Sequence, residues 1–120
     1  MIYLVEDNDL VRDNLIRMLQ EFAQAEVAGS AATEDEATAW LQAHPDAWQM
    51  AVVDLFLLQG SGLGVVSSFQ DRKPMQKIVV LTNYATADIR RRAQALGADA
   101  VFDKSGELDL FLAYCADLQA

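Results

Sequence analysis

The chain has 120 residues, 52% of them hydrophobic, which is the size and make-up of one ordinary domain with its own core and excludes a disordered chain. Its 18 acidic and 9 basic residues give a formal net charge of −9; such a surface repels phosphate backbones and anionic headgroups, so no direct contact with nucleic acid or membrane is expected. With one cysteine, Cys115, no internal disulfide or cysteine zinc site can be built, and with neither a bilayer-spanning apolar run nor a secretion signal at the N-terminus, a soluble protein of the cytoplasm is expected.

Short apolar runs alternate with stretches of helical period. Ile2–Val5 is continuously apolar, as in a strand covered on both faces, and ends at Glu6-Asp7-Asn8-Asp9. Val11, Leu15, Met18, Leu19 and Phe22 then recur at helical spacing, with Asn8 or Asp9 as the cap. Glu26–Gly29 is a weaker second strand. A second helix runs from Thr33 towards His44 and stops at Pro45, and Thr33 with Glu36 has the spacing of a capping box. Ala51-Val52-Val53 lead into Asp54, and Gly60, Gly62 and Gly64 mark a loop and the start of a third helix. Lys77–Leu81 is the clearest buried strand and is followed by Thr82. A fourth helix occupies about Thr86–Leu96, closed by Gly97 as a left-handed cap. Ala100–Phe102 is a fifth strand, and Leu108, Phe111, Leu112, Cys115 and Leu118 form the stripe of a fifth helix. Strict alternation of five strands and five helices predicts an α/β fold, a parallel sheet with helices on both faces.

In such a sheet, sites form at the carboxyl ends of the strands. The first strand ends in Glu6-Asp7, the third at Asp54, the fourth at Thr82, and Lys104 follows the fifth. Four apolar strands therefore release three carboxylates, a hydroxyl and an amine onto one edge. Each residue alone is ordinary at a strand end; the coincidence of four is not. Carboxylates held together repel and call for a compensating cation. Hard oxygen ligands from Asp7, Asp54 and a backbone carbonyl suit Mg²⁺, which often bridges to phosphate. A carboxylate screened in this way can attack a phosphoryl group, while Lys104 and Thr82 hold its oxygens.

At these residues the sequence resembles the response-regulator receiver domains of two-component signalling. The likeness covers essentially the whole chain and is carried by Leu4-Val5-Glu6-Asp7-Asn8, Val52-Val53-Asp54-Leu55, Val80-Leu81-Thr82-Asn83, and Gly97-Ala98-Asp99 leading to Phe102-Asp103-Lys104. The resemblance implies a flavodoxin-like, doubly wound sheet of strand order 2-1-3-4-5, and a single receiver domain over residues 1–120 with no output domain. It implies that Asp54 accepts a phosphoryl group from a histidine kinase or a histidine phosphotransfer protein. By the same carry-over, Asp7 and Asp54 ligate Mg²⁺ through their side chains, Phe56 through its backbone carbonyl and Glu6 through water. Thr82 and Lys104 would hold the phosphoryl oxygens, and inward movement of Thr82 would bias two conformations. Such a chain is a switch rather than an enzyme that turns over a substrate.

The sequence departs from the family pattern at several points. Ser105 follows Lys104 where proline is usual, which predicts a looser loop. Val101 stands where an aromatic rotamer switch is usual, and its neighbour Phe102 faces the other way unless the strand bulges. Leu58 replaces a common proline. Phe56 and Tyr84 are bulky at positions that flank the path of hydrolytic water in the family, which predicts a long-lived phosphoryl-Asp54.

The remaining features have plainer readings. Gly60-Ser61-Gly62-Leu63-Gly64 lacks the spacing of a dinucleotide loop and the lysine of a P-loop, and is expected to be a flexible loop. His44 is expected to face solvent, Cys115 to be a buried small hydrophobe, and Trp40 and Trp48 to pack towards the core. Arg90-Arg91-Arg92 is either a solvated helix face or a docking surface. In the second case it lies on the face formed by the fourth helix, fifth strand and fifth helix, and meets Asp109 or Asp117 of a second copy in a homodimer. The alternative function is a pseudo-receiver, a scaffold for protein binding or dimerisation that is never phosphorylated. A phosphohydrolase of haloacid-dehalogenase type wants a carboxylate where Phe56 stands, and a flavodoxin wants a hydroxyl-rich loop where this chain has acids.

Overall fold

The computed structural model describes residues 1–119; Ala120, the last residue of the expected domain, lies outside the described residues. Five strands, β1 (Ile2–Val5), β2 (Val27–Ala31), β3 (Met50–Val53), β4 (Lys77–Thr82) and β5 (Ala100–Asp103), alternate with five helices, α1 (Asp9–Phe22), α2 (Glu34–Ala43), α3 (Gly62–Ser68), α4 (Ala87–Ala95) and α5 (Leu108–Gln119). The strands form one sheet of order β2-β1-β3-β4-β5, and every pair is parallel. This is the expected doubly wound order.

The period-two alternation of the buried strands divides the core. Tyr3, Val5, Ala51, Val53, Ile78 and Val80 face α2, α3 and α4, where they meet Ala37, Leu41, Val65, Val66 and Ala93. Ile2, Leu4, Met50, Val52, Val79 and Leu81 face α1 and α5, where they meet Leu15, Leu19, Phe111 and Cys115. Both faces of β1, β3 and β4 are thereby dry, which explains their unbroken apolar sequences. Burial pushes the Cys115 thiol up to about 12, so it packs as a hydrophobe. Trp48 is buried, Trp40 half-buried, and both belong to the first core. His44 is exposed, as expected, and its ring stacks on Trp40 with centroids 4.4 Å apart.

Helix ends follow local chemistry. Asn8, not Asp9, caps α1, its side chain accepting from the Val11 amide. Thr33 caps α2 through the Glu36 amide. The reciprocal half of the capping box is redirected, because Glu36 accepts from the Thr33 hydroxyl instead. Gly97, at φ +113, ends α4 in a Schellman turn: its amide donates to the Gln94 carbonyl and the Ala98 amide to that of Ala93. The second strand begins and ends later than Glu26–Gly29. Its pairing with β1 slips beside Ile2 and then continues to Val5–Ala31, so the register of the neighbouring strand, rather than β2's own weak pattern, sets its end.

Candidate functional site

The carboxyl ends of β1, β3, β4 and β5 lie side by side. Val5 pairs with Val53 and Val53 with Val80, while Thr82 pairs with Asp103. The ends of β1 and β3 are therefore level, and β4 runs two residues further, to Thr82. One carboxylate oxygen from each of Glu6, Asp7 and Asp54 lies within 4.8 Å of the others. Lys104 enters this group from the far strand. Its Nζ donates to Glu6 Oε1 and lies 3.1 Å from Asp54 Oδ2.

Each member is held differently. Glu6 is only 2% exposed and is reconciled to burial by two donors, Lys104 on Oε1 and the Asn8 amide on Oε2 at 3.2 Å. Asp54 receives the Leu55 amide on Oδ1 at 2.8 Å, and its own amide donates to the Val5 carbonyl. Thr82 is fully buried, and its Oγ1 accepts the Tyr84 amide at 3.2 Å. The Lys104 amide donates to the Thr82 carbonyl, so hydroxyl and ammonium belong to neighbouring backbone. A trio of convergent hard oxygen donors beside one ammonium is the chemistry of a Mg²⁺ site that also meets phosphate, so the donor set fits that ion.

The walls of the site show contacts that the sequence did not specify. The Phe56 and Tyr84 rings are more than half exposed and stack edge to face, centroids 4.9 Å apart. The loop at Ser105 is not loose. Its amide and hydroxyl both donate to Asp103 Oδ1, at 2.8 and 2.6 Å, and the Ser105 hydrogen bonds hold the Asp103 carboxyl below its ordinary range. A proline here would supply neither donor. The Gly60–Gly64 segment is not a free loop either, since the Glu34 carboxylate accepts the Ser61 amide. Gly62 was missed as a site residue: a Cβ there would lie 2.0 Å from the Asp54 carbonyl oxygen. The glycine run was visible in the sequence, but the contact was not.

The arginine run is neither uniformly solvated nor uniformly free. Arg90 turns inward and donates to the Ala85 and Val101 carbonyls and to Glu107. The Arg90 guanidinium holds the Glu107 carboxyl below its ordinary range. Arg91 pairs with Asp88, and Arg92 is exposed. Strand β5 runs in unbroken register with β4, so Val101 packs into the α2–α4 core and Phe102 onto Phe111 and Tyr114 on the other face. Phe102 does not take the place of the missing aromatic.

Residues 2–115 match the response regulator receiver domain family. The chain belongs to that family. It is a receiver domain of two-component signalling, and the relatives agree. It is 30% identical over 112 residues to the photosynthetic apparatus regulatory protein RegA of Rhodobacter capsulatus, a match covering 88% of this chain and 55% of RegA. The receiver domain thus spans about half the length of the curated relatives it matches. A two-component response regulator of the LuxR family from Aurantimonas superposes with a TM-score of 0.84 at 24% identity, covering 98% of this chain and 84% of that one. A response regulator from Burkholderia pseudomallei, crystallised with a phosphorylated aspartic acid, a calcium ion and citrate, superposes with a TM-score of 0.76 at 27% identity, covering 98% and 69%. No helix among the described residues is long and apolar enough to cross a membrane.

Proposed function

We propose that this receiver domain takes a phosphoryl group on Asp54 from a phosphohistidine of a histidine kinase or histidine phosphotransfer protein, and acts by changing shape. The observation that carries the reading is the convergence of Glu6, Asp7 and Asp54, with Lys104 reaching Glu6 and Asp54. A scaffold has no use for so repulsive a group. The phosphorylated aspartic acid and calcium ion in the Burkholderia relative support the same chemistry here. Bound Mg²⁺, held by Asp7, Asp54 and the Phe56 carbonyl, with Glu6 behind water, would neutralise charge on the carboxylates and the incoming phosphoryl oxygens.

An Asp54 carboxylate oxygen bonds to phosphorus as the phosphorus–nitrogen bond of the phosphohistidine breaks, and the imidazole leaves with that electron pair. Lys104 turns from Asp54 to a phosphoryl oxygen while remaining anchored to Glu6. The Thr82 oxygen accepts from the Tyr84 amide, which leaves its own O–H to donate to another phosphoryl oxygen. Thr82 cannot move inward without drawing on Tyr84 and Ala85. Arg90 is bonded to the Ala85 carbonyl and reaches Val101 and Glu107. The movement is thus handed to β5 and the start of α5 without the usual aromatic. On this α4-β5-α5 face the exposed Arg91 and Arg92 remain to meet Asp109 or Asp117 of a second copy.

The test is a Mg²⁺-dependent beryllofluoride complex followed by fluorine NMR. One bound signal, absent in Asp54→Ala and removed by chelation of Mg²⁺, is expected. If the wild type forms no complex, the pseudo-receiver reading takes its place; Val101 in the aromatic's position is the observation in its favour. The Phe56–Tyr84 stack narrows the approach of water, so the phosphoryl half-life of a Phe56→Asn, Tyr84→Ala double variant is expected to fall severalfold. An unchanged half-life would contradict that role.

A further inference from the structure

We infer that Glu34 is a positioning residue for the acceptor site: from the first turn of α2 its carboxylate and amide grip the loop between β3 and α3 and set where Asp54 and the Phe56 carbonyl sit. The inference rests on the phosphoacceptor reading above. It concerns a residue 27 positions from the loop it touches and outside the convergent carboxylates.

The loop doubles back on itself: the Gly62 amide donates to the Leu55 carbonyl at 3.0 Å, and Phe56 bridges to Ser61. Glu34 holds its outer limb at two points. The Glu34 amide donates to the Gln59 carbonyl at 3.1 Å, and Glu34 Oε1 accepts the Ser61 amide at 2.8 Å, one on each side of Gly60. The second bond is charge-assisted and partly buried. Three glycines make the grip fit. A Cβ on Gly60 would lie 2.4 Å from Glu34 Cβ, and one on Gly64 would lie 2.3 Å from Glu34 Oε2. Side chains at either position would expel the carboxylate. On the inner side, Gly62 is packed so closely on the Asp54 carbonyl that a Cβ there would stand 2.0 Å from it. The segment is therefore a rigid link. Glu34 fixes Ser61, Ser61 adjoins Gly62, and Gly62 abuts the backbone of the acceptor. A loop released at Ser61 no longer holds the Phe56 carbonyl where the carboxylates converge.

The test uses Glu34→Ala, with Glu34→Gln as the conservative variant, because the amide oxygen of Gln can still accept from Ser61. Thr33→Ala is the structural control: it removes the α2 cap and leaves the Glu34 side chain in place. Amide exchange of Ser61 and Gly62 is measured by NMR without metal, and Mg²⁺ affinity by calorimetry. Glu34→Ala is expected to speed exchange at these two amides about tenfold and to weaken Mg²⁺ binding about three- to tenfold, below the roughly 10- to 100-fold typical when a direct partner of a ligand is removed. Glu34→Gln should restore both to within about twofold, and Thr33→Ala should leave Mg²⁺ affinity as it was. Unchanged exchange in Glu34→Ala, or a loss of affinity matched by Thr33→Ala, overturns the inference. Wild-type protein that binds no Mg²⁺ overturns the phosphoacceptor reading and this inference with it, whereas a wild type that binds and a Glu34→Ala that binds equally overturns this inference alone.

Discussion

At the amino-terminal edge of the sheet, Arg72 donates to the carbonyls of Gln76, Phe69 and Gly97 and to Asp99. Asp99 in turn accepts the amide of Ile78, the second residue of β4. Gln76 is buried and its amide group donates to the Pro45 and Trp48 carbonyls. Arg72 and Asp99 are paired there, and each is further tied to backbone groups. At the carboxyl-terminal edge three carboxylates converge beside one ammonium, that of Lys104, which reaches Glu6 and Asp54. The same strands support both ends, so the contrast lies in what each end is for. Matched polar groups hold loops in place, whereas unmatched like charges cost stability and bind a ligand that relieves them.

The largest expected effect breaks the matched end. Arg72→Ala removes the counter-charge of Asp99 and the side-chain donors to three carbonyls, and should lower stability by about 3 kcal/mol in urea unfolding, with phosphorylation of the folded fraction retained. Gly62→Ala comes next. Its Cβ would collide with the Asp54 carbonyl, and overpacking of this kind costs about 2 kcal/mol. Unlike Arg72→Ala, it should also slow phosphorylation of folded protein. Gly106→Ala is the control, since a Cβ there meets nothing within 4 Å. The smallest effect has the opposite sign. Asp7→Asn removes one of the three crowded charges, and should raise stability by about 1 kcal/mol without metal while abolishing the stabilisation that added Mg²⁺ gives the wild type. A destabilised Asp7→Asn protein would mean that the carboxylates are not in conflict.

Much of this contrast was legible in the sequence because the strands are short and apolar. The residue after each run is necessarily at the sheet edge, so Glu6, Asp7, Asp54, Thr82 and Lys104 could be grouped before any contact was known. The sheet order followed from the resemblance, and Val101 and Phe102 had to face opposite ways because an unbulged strand alternates. What could not be read depends on contacts between distant residues. Nothing near Glu34 marks it as the partner of Ser61, and three consecutive arginines look alike until the turn of α4 points only Arg90 inward. Ser105 was read by what it lacks relative to proline, although its two donors to Asp103 are what it adds. The end of β2 was misplaced because a half-exposed edge strand takes its register from β1.

The most direct test of the account is the intact mass of the protein after incubation with acetyl phosphate and Mg²⁺, on the wild type and on Asp54→Ala. One phosphoryl adduct is expected on the wild type, lost when EDTA replaces Mg²⁺ and absent from the variant. An adduct that persists in Asp54→Ala, or forms equally well without a divalent ion, would contradict it.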